Sequence, residues 1–284
     1  MFNFKENQSF RFPILCISIY NDTLIFSTKK IGSRFFERDY ITTSGETIEN
    51  TINFQMGNPI EDSEFTYNNY EFGEFRHKLE VNEFFKILNI SSISELFSEK
   101  IYQKYKFVFI VRNPMDRFHT GLFEKIDSVF SEIITDDNNY TKTIDETYYT
   151  SFTQNVVKKY FNIEDDIPLK FRQQSTIDSI LNEFSVSMDY TIFNDSHLSL
   201  WHTFLLDFIN NMDMTSKIDI IDLNDFEKIS SIISETHQQP SNKEWITNWL
   251  DNSNNKPYID TMYENLKYYL DLENESYQKL LNKK

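Results

Sequence analysis

Phe107-Val108-Phe109-Ile110-Val111-Arg112-Asn113-Pro114-Met115-Asp116-Arg117-Phe118-His119-Thr120-Gly121 is the stretch whose reading decides the fold. Its first five residues are apolar and β-prone, with no alternation. That pattern predicts a strand covered on both faces, as in the parallel sheets of α/β proteins. Asn113 suits a helix cap and Pro114 the first helical turn, so the strand feeds directly into a helix. Arg112 then stands at the carboxyl end of a buried strand, where open α/β sheets bind their ligands. Thr120 falls about two turns into the predicted helix, a spacing from which both side chains can converge on one anion.

The rest of the chain fits the same plan. Ile14 to Tyr20, Leu24 to Ser27, Tyr190 to Phe193 and Ile218 to Leu223 are further apolar, β-prone runs. Val81, Phe84, Phe85 and Leu88 have helical spacing, as do Ile177, Ile180, Leu181 and Phe184, and Leu198, Trp201, Leu205 and Phe208. Strands alternating with helices predict an α/β fold: a three-layer, P-loop-like arrangement with a central, mostly parallel sheet flanked by helices. Residues 1–284 read as a single domain, without internal repeats or long linkers. Two polar, acidic, weakly periodic stretches, 42–74 and 127–150, are read as irregular loops and as candidates for binding the substrate.

A second strand–loop–helix pattern lies upstream, in Leu24-Ile25-Phe26-Ser27-Thr28-Lys29-Lys30-Ile31-Gly32-Ser33-Arg34-Phe35-Phe36. Backbone N–H groups at such a turn, with the positive end of the following helix, suit an anion. Lys29, Lys30 and Arg34 add positive charge there. The Walker pattern of ordinary ATPases and kinases is absent, so that reading is weak.

Composition narrows the field. With 44 acidic and 28 basic residues the formal charge is -16, unlike the basic field of a general nucleic-acid binder. The single Cys16 excludes an intramolecular disulfide framework. The longest apolar run near the start, Pro13 to Tyr20, is too short to span a membrane. The N-terminal residues show no secretory pattern, and a cytoplasmic location is expected. His197 and His202 are five apart and do not belong to a carboxylate or Cys set of the kind that argues for zinc, so no metal is predicted.

Together the two anion motifs resemble those of sulfotransferases that use 3′-phosphoadenosine 5′-phosphosulfate, the carbohydrate and heparan-type enzymes among them. Lys30, Gly32 and Ser33 match that family's phosphosulfate loop, while Lys29 replaces a Pro and Arg34 departs. Arg112, Asn113, Pro114 and Arg117 match its 3′-phosphate motif, with Thr120 in place of Ser and Leu122 in place of an aromatic. Asn194-Asp195-Ser196-His197-Leu198 is similar to an Asp-x-His-Leu element of carbohydrate sulfotransferases, and Tyr268 to Tyr277 to their closing helix.

The resemblance implies sulfuryl transfer from the phosphosulfate donor to a hydroxyl or amine, leaving 3′,5′-adenosine bisphosphate. It implies that the loop from Lys29 through Lys30, Ile31, Gly32, Ser33 and Arg34 to Phe35 holds the 5′-phosphate. Arg112 and Thr120 would hold the 3′-phosphate, and Lys30 would stabilise charge on the leaving oxygen. For the general base, relatives place a His or a Glu between the motifs, which makes His77 the lead; Glu74, Glu80, Glu83 and His197 are its rivals. His119 reads as structural or as a pocket wall. The acidic charge favours a small or neutral acceptor, a carbohydrate included, over a polyanionic glycan. The alternatives are a non-catalytic relative that binds a nucleotide or sugar phosphate, and a P-loop-like kinase.

Overall fold

The computed structural model describes residues 13–31, 39–41, 47–49, 51–56, 65–67, 70–75, 84–91, 95–96, 98–131, 174–195, 197–211, 218–232 and 244–283. Packing groups the chain into two compact units. The first comprises Met1–Asn113, Leu200–Ser241 and Glu273–Lys284, and the second Pro114–Ser199 and Asn242–Leu272. Residues 1–284, read above as a single domain, thus group into two units, each assembled from separate stretches of chain.

The first unit holds a mixed sheet. Its strands are β1 (Ile14–Tyr20), β2 (Thr23–Ser27), β5 (Thr51–Met56), β6 (Phe65–Tyr67), β7 (Tyr70–Phe75), β8 (Lys106–Val111) and β9 (Ile218–Asp222). They lie in the order β6-β7-β5-β1-β2-β8-β9, while β3 (Asp39–Ile41) and β4 (Thr47–Glu49) form a separate pair. β8 is the hub, running parallel to β2 (Phe26 beside Phe109) and to β9 (Val111 beside Asp222). The mostly parallel sheet expected from the sequence is found in the four strands β1-β2-β8-β9. There β1 alone is antiparallel, turned back on β2 through Asn21 and Asp22. Asn21 has φ 51°, a left-handed conformation that Asn tolerates.

Both faces of β8 are covered, as its unalternated sequence predicts. Phe107, Phe109 and Val111 belong to one core, with Leu24, Phe26, Leu88, Ile101, Trp201, Leu205 and Phe208. Val108 and Ile110 belong to another, with Ile25, Ile221 and Ile229. The first core is built against helical residues 84–88, α1 (Glu99–Lys104) and α4 (Trp201–Asn211); the second takes Ile229 from α5 (Phe226–Ile232). The Trp201 indole N–H donates to the Ile110 carbonyl at 3.1 Å and fixes α4 to the strand.

The second unit is helical: α2 (Pro114–Ser131), α3 (Gln174–Ser187), α6 (Glu244–Leu250) and α7 (Lys256–Leu281) as far as Leu272. Phe118 packs near Phe193 and Tyr263, and Phe123 meets Trp249 edge to face. α2 begins at Pro114, as predicted.

Two expectations are corrected. Tyr190 to Phe193, read as a strand, is a 3-10 helix over Tyr190–Asn194, because the Asp189 carboxylate accepts the Thr191 N–H and caps it. The stretch 42–74, read as irregular, carries β4, β5, β6 and most of β7. Ile52, Phe54 and Met56 alternate there at the strand period. Of the other irregular candidate, 127–131 closes α2 and 132–150 lies outside the described residues.

Candidate functional site

β2 ends in a buried Ser27, and the chain turns at once. The Ile31 N–H reaches the Thr28 carbonyl at 3.4 Å, with Lys29 and Lys30 at the bend. Lys30 has φ 67°. A side chain in this left-handed region costs roughly 1 kcal/mol and persists only where the surroundings hold it. One hold is visible: Arg112 Nη1 donates to the Lys30 carbonyl at 3.0 Å. Arg112 directly follows Val111, the last paired residue of β8, so the bond joins the carboxyl ends of two adjacent parallel strands.

This places Lys29, Lys30 and Arg112 at one edge of the sheet, all partly buried. Ile31 is fully buried in the core, so it contributes to the turn through its backbone. The Ser27 hydroxyl is buried and has no hydrogen-bond partner. Sequence reasoning passed over Ser27, since a serine closing an apolar run carries no pattern. Gly32, Ser33, Arg34, Phe35, His77, Glu80 and Glu83 lie outside the described residues. Glu74 is in β7.

The remaining motif residues belong to the second unit, on α2 and the segment 195–199. Thr120 is buried, and its hydroxyl donates to the Asp116 carbonyl at 2.8 Å. In that rotamer its single proton is spent within the helix. Arg117 is buried and clamps Ser199, giving one N–H to the carbonyl at 2.5 Å and one to the hydroxyl at 3.1 Å. Gly121 lies against the same segment, where a Cβ would come within 2.7 Å of the His197 carbonyl oxygen. Close packing at this glycine is therefore obligatory.

A charged cluster completes the contact. Lys125 and Asp195 form a buried ion pair at 2.7 Å. Asp195 also accepts the His197 backbone N–H at 2.8 Å and meets Nδ1 of its ring at 3.0 Å. Nε2 of that ring lies 3.5 Å from Glu124. Burial alone would raise the Asp195 pKa, but the His197 hydrogen bond and the Lys125 charge outweigh it, holding the carboxyl well below its ordinary range. His197, a rival for the base, is thus oriented by a carboxylate. His119 stacks on Tyr263 at 5.5 Å, and neither ring nitrogen has a hydrogen-bond partner. It forms part of the packing of this unit, in line with the structural reading.

Compared with family models, curated proteins and solved structures, the chain matches none. The donor set at the sheet edge suits an anionic phosphate: two lysines, one arginine and the Ser27 hydroxyl. The Thr120 hydroxyl is available to a ligand only if it turns out of its bond to Asp116. Among the described residues, no group of three or more His, Cys, Asp or Glu side chains is placed to hold a metal, and no helix is long and apolar enough to cross a membrane.

Proposed function

We propose that the chain is a sulfotransferase that moves a sulfuryl group from 3′-phosphoadenosine 5′-phosphosulfate to a hydroxyl or amine. The observation that carries this reading is the Arg112–Lys30 hydrogen bond, which joins two motifs 82 residues apart at the carboxyl edge of parallel strands. That edge is where α/β folds place their ligands. The three-layer, P-loop-like form of the sheet belongs to the same proposal.

In this reading the donor brings the activated sulfuryl group, and the protein supplies position and charge. Lys30 offers its ammonium to the oxygen that becomes negative as transfer proceeds. The amides of residues 32–35, with Ser33, cradle the 5′-phosphate, while the Ile31 amide closes the turn. The resemblance assigns the 3′-phosphate to Arg112 and Thr120. His77 takes the acceptor proton, for which an imidazole is suited near neutral pH. The -16 charge favours a small or neutral acceptor, a sugar hydroxyl included. A non-catalytic binder of nucleotides or sugar phosphates is the second reading, favoured by the inward bond of the Thr120 hydroxyl.

Thermal unfolding with 3′,5′-adenosine bisphosphate, ATP and ADP tests both. At about 100 times its dissociation constant a ligand adds roughly 2.7 kcal/mol of stability. The bisphosphate is expected to stabilise most; a shift with ATP alone would point to a kinase-like protein. Sulfuryl transfer to a panel of small acceptors then separates enzyme from binder. Lys30→Ala is expected to lose at least about a hundredfold in turnover, the scale of one lost charge-stabilising group.

A further inference from the structure

Resting on the reading above, we infer that Arg112 is a positioning residue for the Lys30 turn, so that it governs recognition of the 5′-phosphate as well as of any 3′-phosphate. The guanidinium spends one donor on the Lys30 carbonyl at 3.0 Å. That carbonyl belongs to the residue held at φ 67°. Without the bond, the peptide after Lys30 loses a charged hydrogen-bond partner that fixes its orientation. The left-handed conformation is then free to relax toward the regions that a lysine prefers. Relaxation at this one residue redirects the Lys30 side chain, which carries the ammonium meant for the 5′-phosphate end of the donor.

The other side of the turn is firmly set. Thr28 and Ile31 are both fully buried, and Phe26 is paired with Phe109 in the parallel ladder. The bend lies between them, and Arg112 reaches it from the next strand. A guanidinium has five N–H donors in a planar fork. A fork of that shape can give one N–H to a carbonyl and turn another edge to a phosphate, so the two roles are geometrically compatible. Lysine, with one compact ammonium, cannot do both with the same geometry.

The two roles separate by ligand. A residue that touches only the 3′-phosphate matters for 3′,5′-adenosine bisphosphate and is indifferent to adenosine 5′-phosphate. A residue that sets the Lys30 turn matters for both. The affinity of each ligand is to be measured by calorimetry for the wild type, Arg112→Gln, Arg112→Lys and Lys30→Gly, with each variant's fold checked by circular dichroism. Arg112→Gln is expected to weaken adenosine 5′-phosphate about tenfold, the loss of one charged hydrogen bond, and the bisphosphate at least as much. Arg112→Lys should recover part of the bisphosphate affinity while leaving the 5′-phosphate loss in place. In a Lys30→Gly background, Arg112→Gln should have little further effect on adenosine 5′-phosphate, because glycine neither needs the hold nor carries the ammonium. Unchanged adenosine 5′-phosphate affinity in Arg112→Gln would overturn the positioning role and leave the sulfotransferase reading intact. Failure of the wild type to bind either nucleotide would overturn the functional reading itself. Should Arg112→Gln not fold, Arg112→Lys carries the test: equal affinity for adenosine 5′-phosphate in Arg112→Lys and wild type would refute the inference.

Discussion

His119 shows how one side chain sets a pH response. Burial holds its pKa below the ordinary value of 6.5; Asp251 and Asp116 pull the other way and only partly offset the effect. The native imidazole therefore stays neutral where the unfolded one has begun to bind a proton. Between the depressed native value and 6.5 the unfolded state holds more protons, so stability falls as pH drops below about 6.5. The urea midpoint is expected to decline from pH 7.5 to 5.5, and His119→Phe should flatten that slope; an equally steep decline in the variant would contradict the assignment. Much at this scale was legible beforehand. Pro114 opens its helix and Arg112 directly follows the last residue of its strand, because ring geometry and a strand terminus are local properties. The clamp of Arg117 on Ser199 was not legible, since it depends on a partner 82 residues away.

At the scale of elements, burial pattern decided what could be read. β8 was clear because both of its faces are packed and every residue from Phe107 to Val111 is apolar. β5 was missed because its Ile52, Phe54 and Met56 alternation lies within a polar, acidic stretch, where composition masks period. The 3-10 helix at Tyr190–Asn194 reverses a β-prone composition through one Asp cap, a case of local hydrogen bonding overriding propensity. The join between α2 and segment 195–199 rests on the Lys125–Asp195 pair. Lys125→Met would leave the buried Asp195 carboxylate without its cation, at a cost of about 3 kcal/mol. Chemical denaturation should show that loss. The second change in Lys125→Met/Asp195→Asn should restore part of it, and no recovery would mean that the cost lies in packing.

Across the whole molecule, each unit is pieced together from distant stretches, which composition alone cannot reveal. The first unit depends on residues beyond 272. Glu273 accepts the backbone N–H groups of His202 at 3.1 Å and Thr203 at 2.9 Å, and its carboxylate meets His202 Nδ1 at 2.8 Å. It thereby serves the first turn of α4, whose amides no earlier helical carbonyl can reach. The Tyr277 hydroxyl likewise donates to Asp222 at the end of β9. Glu273→Ala is expected to cost about 2–3 kcal/mol, because it orphans buried donors; a thermal midpoint unchanged from wild type would show that solvent replaces the carboxylate. The same arrangement imposes an order on biosynthesis. A ribosome that has delivered β1 through β9 has still not delivered the acceptor for the amides of His202 and Thr203. The sheet unit completes its hydrogen bonding only after residue 273 leaves the exit tunnel, although its first strand emerged some 250 residues earlier. Until then the growing chain carries an unfinished hydrophobic unit, and its yield depends on how long translation of the intervening segments holds it in that state.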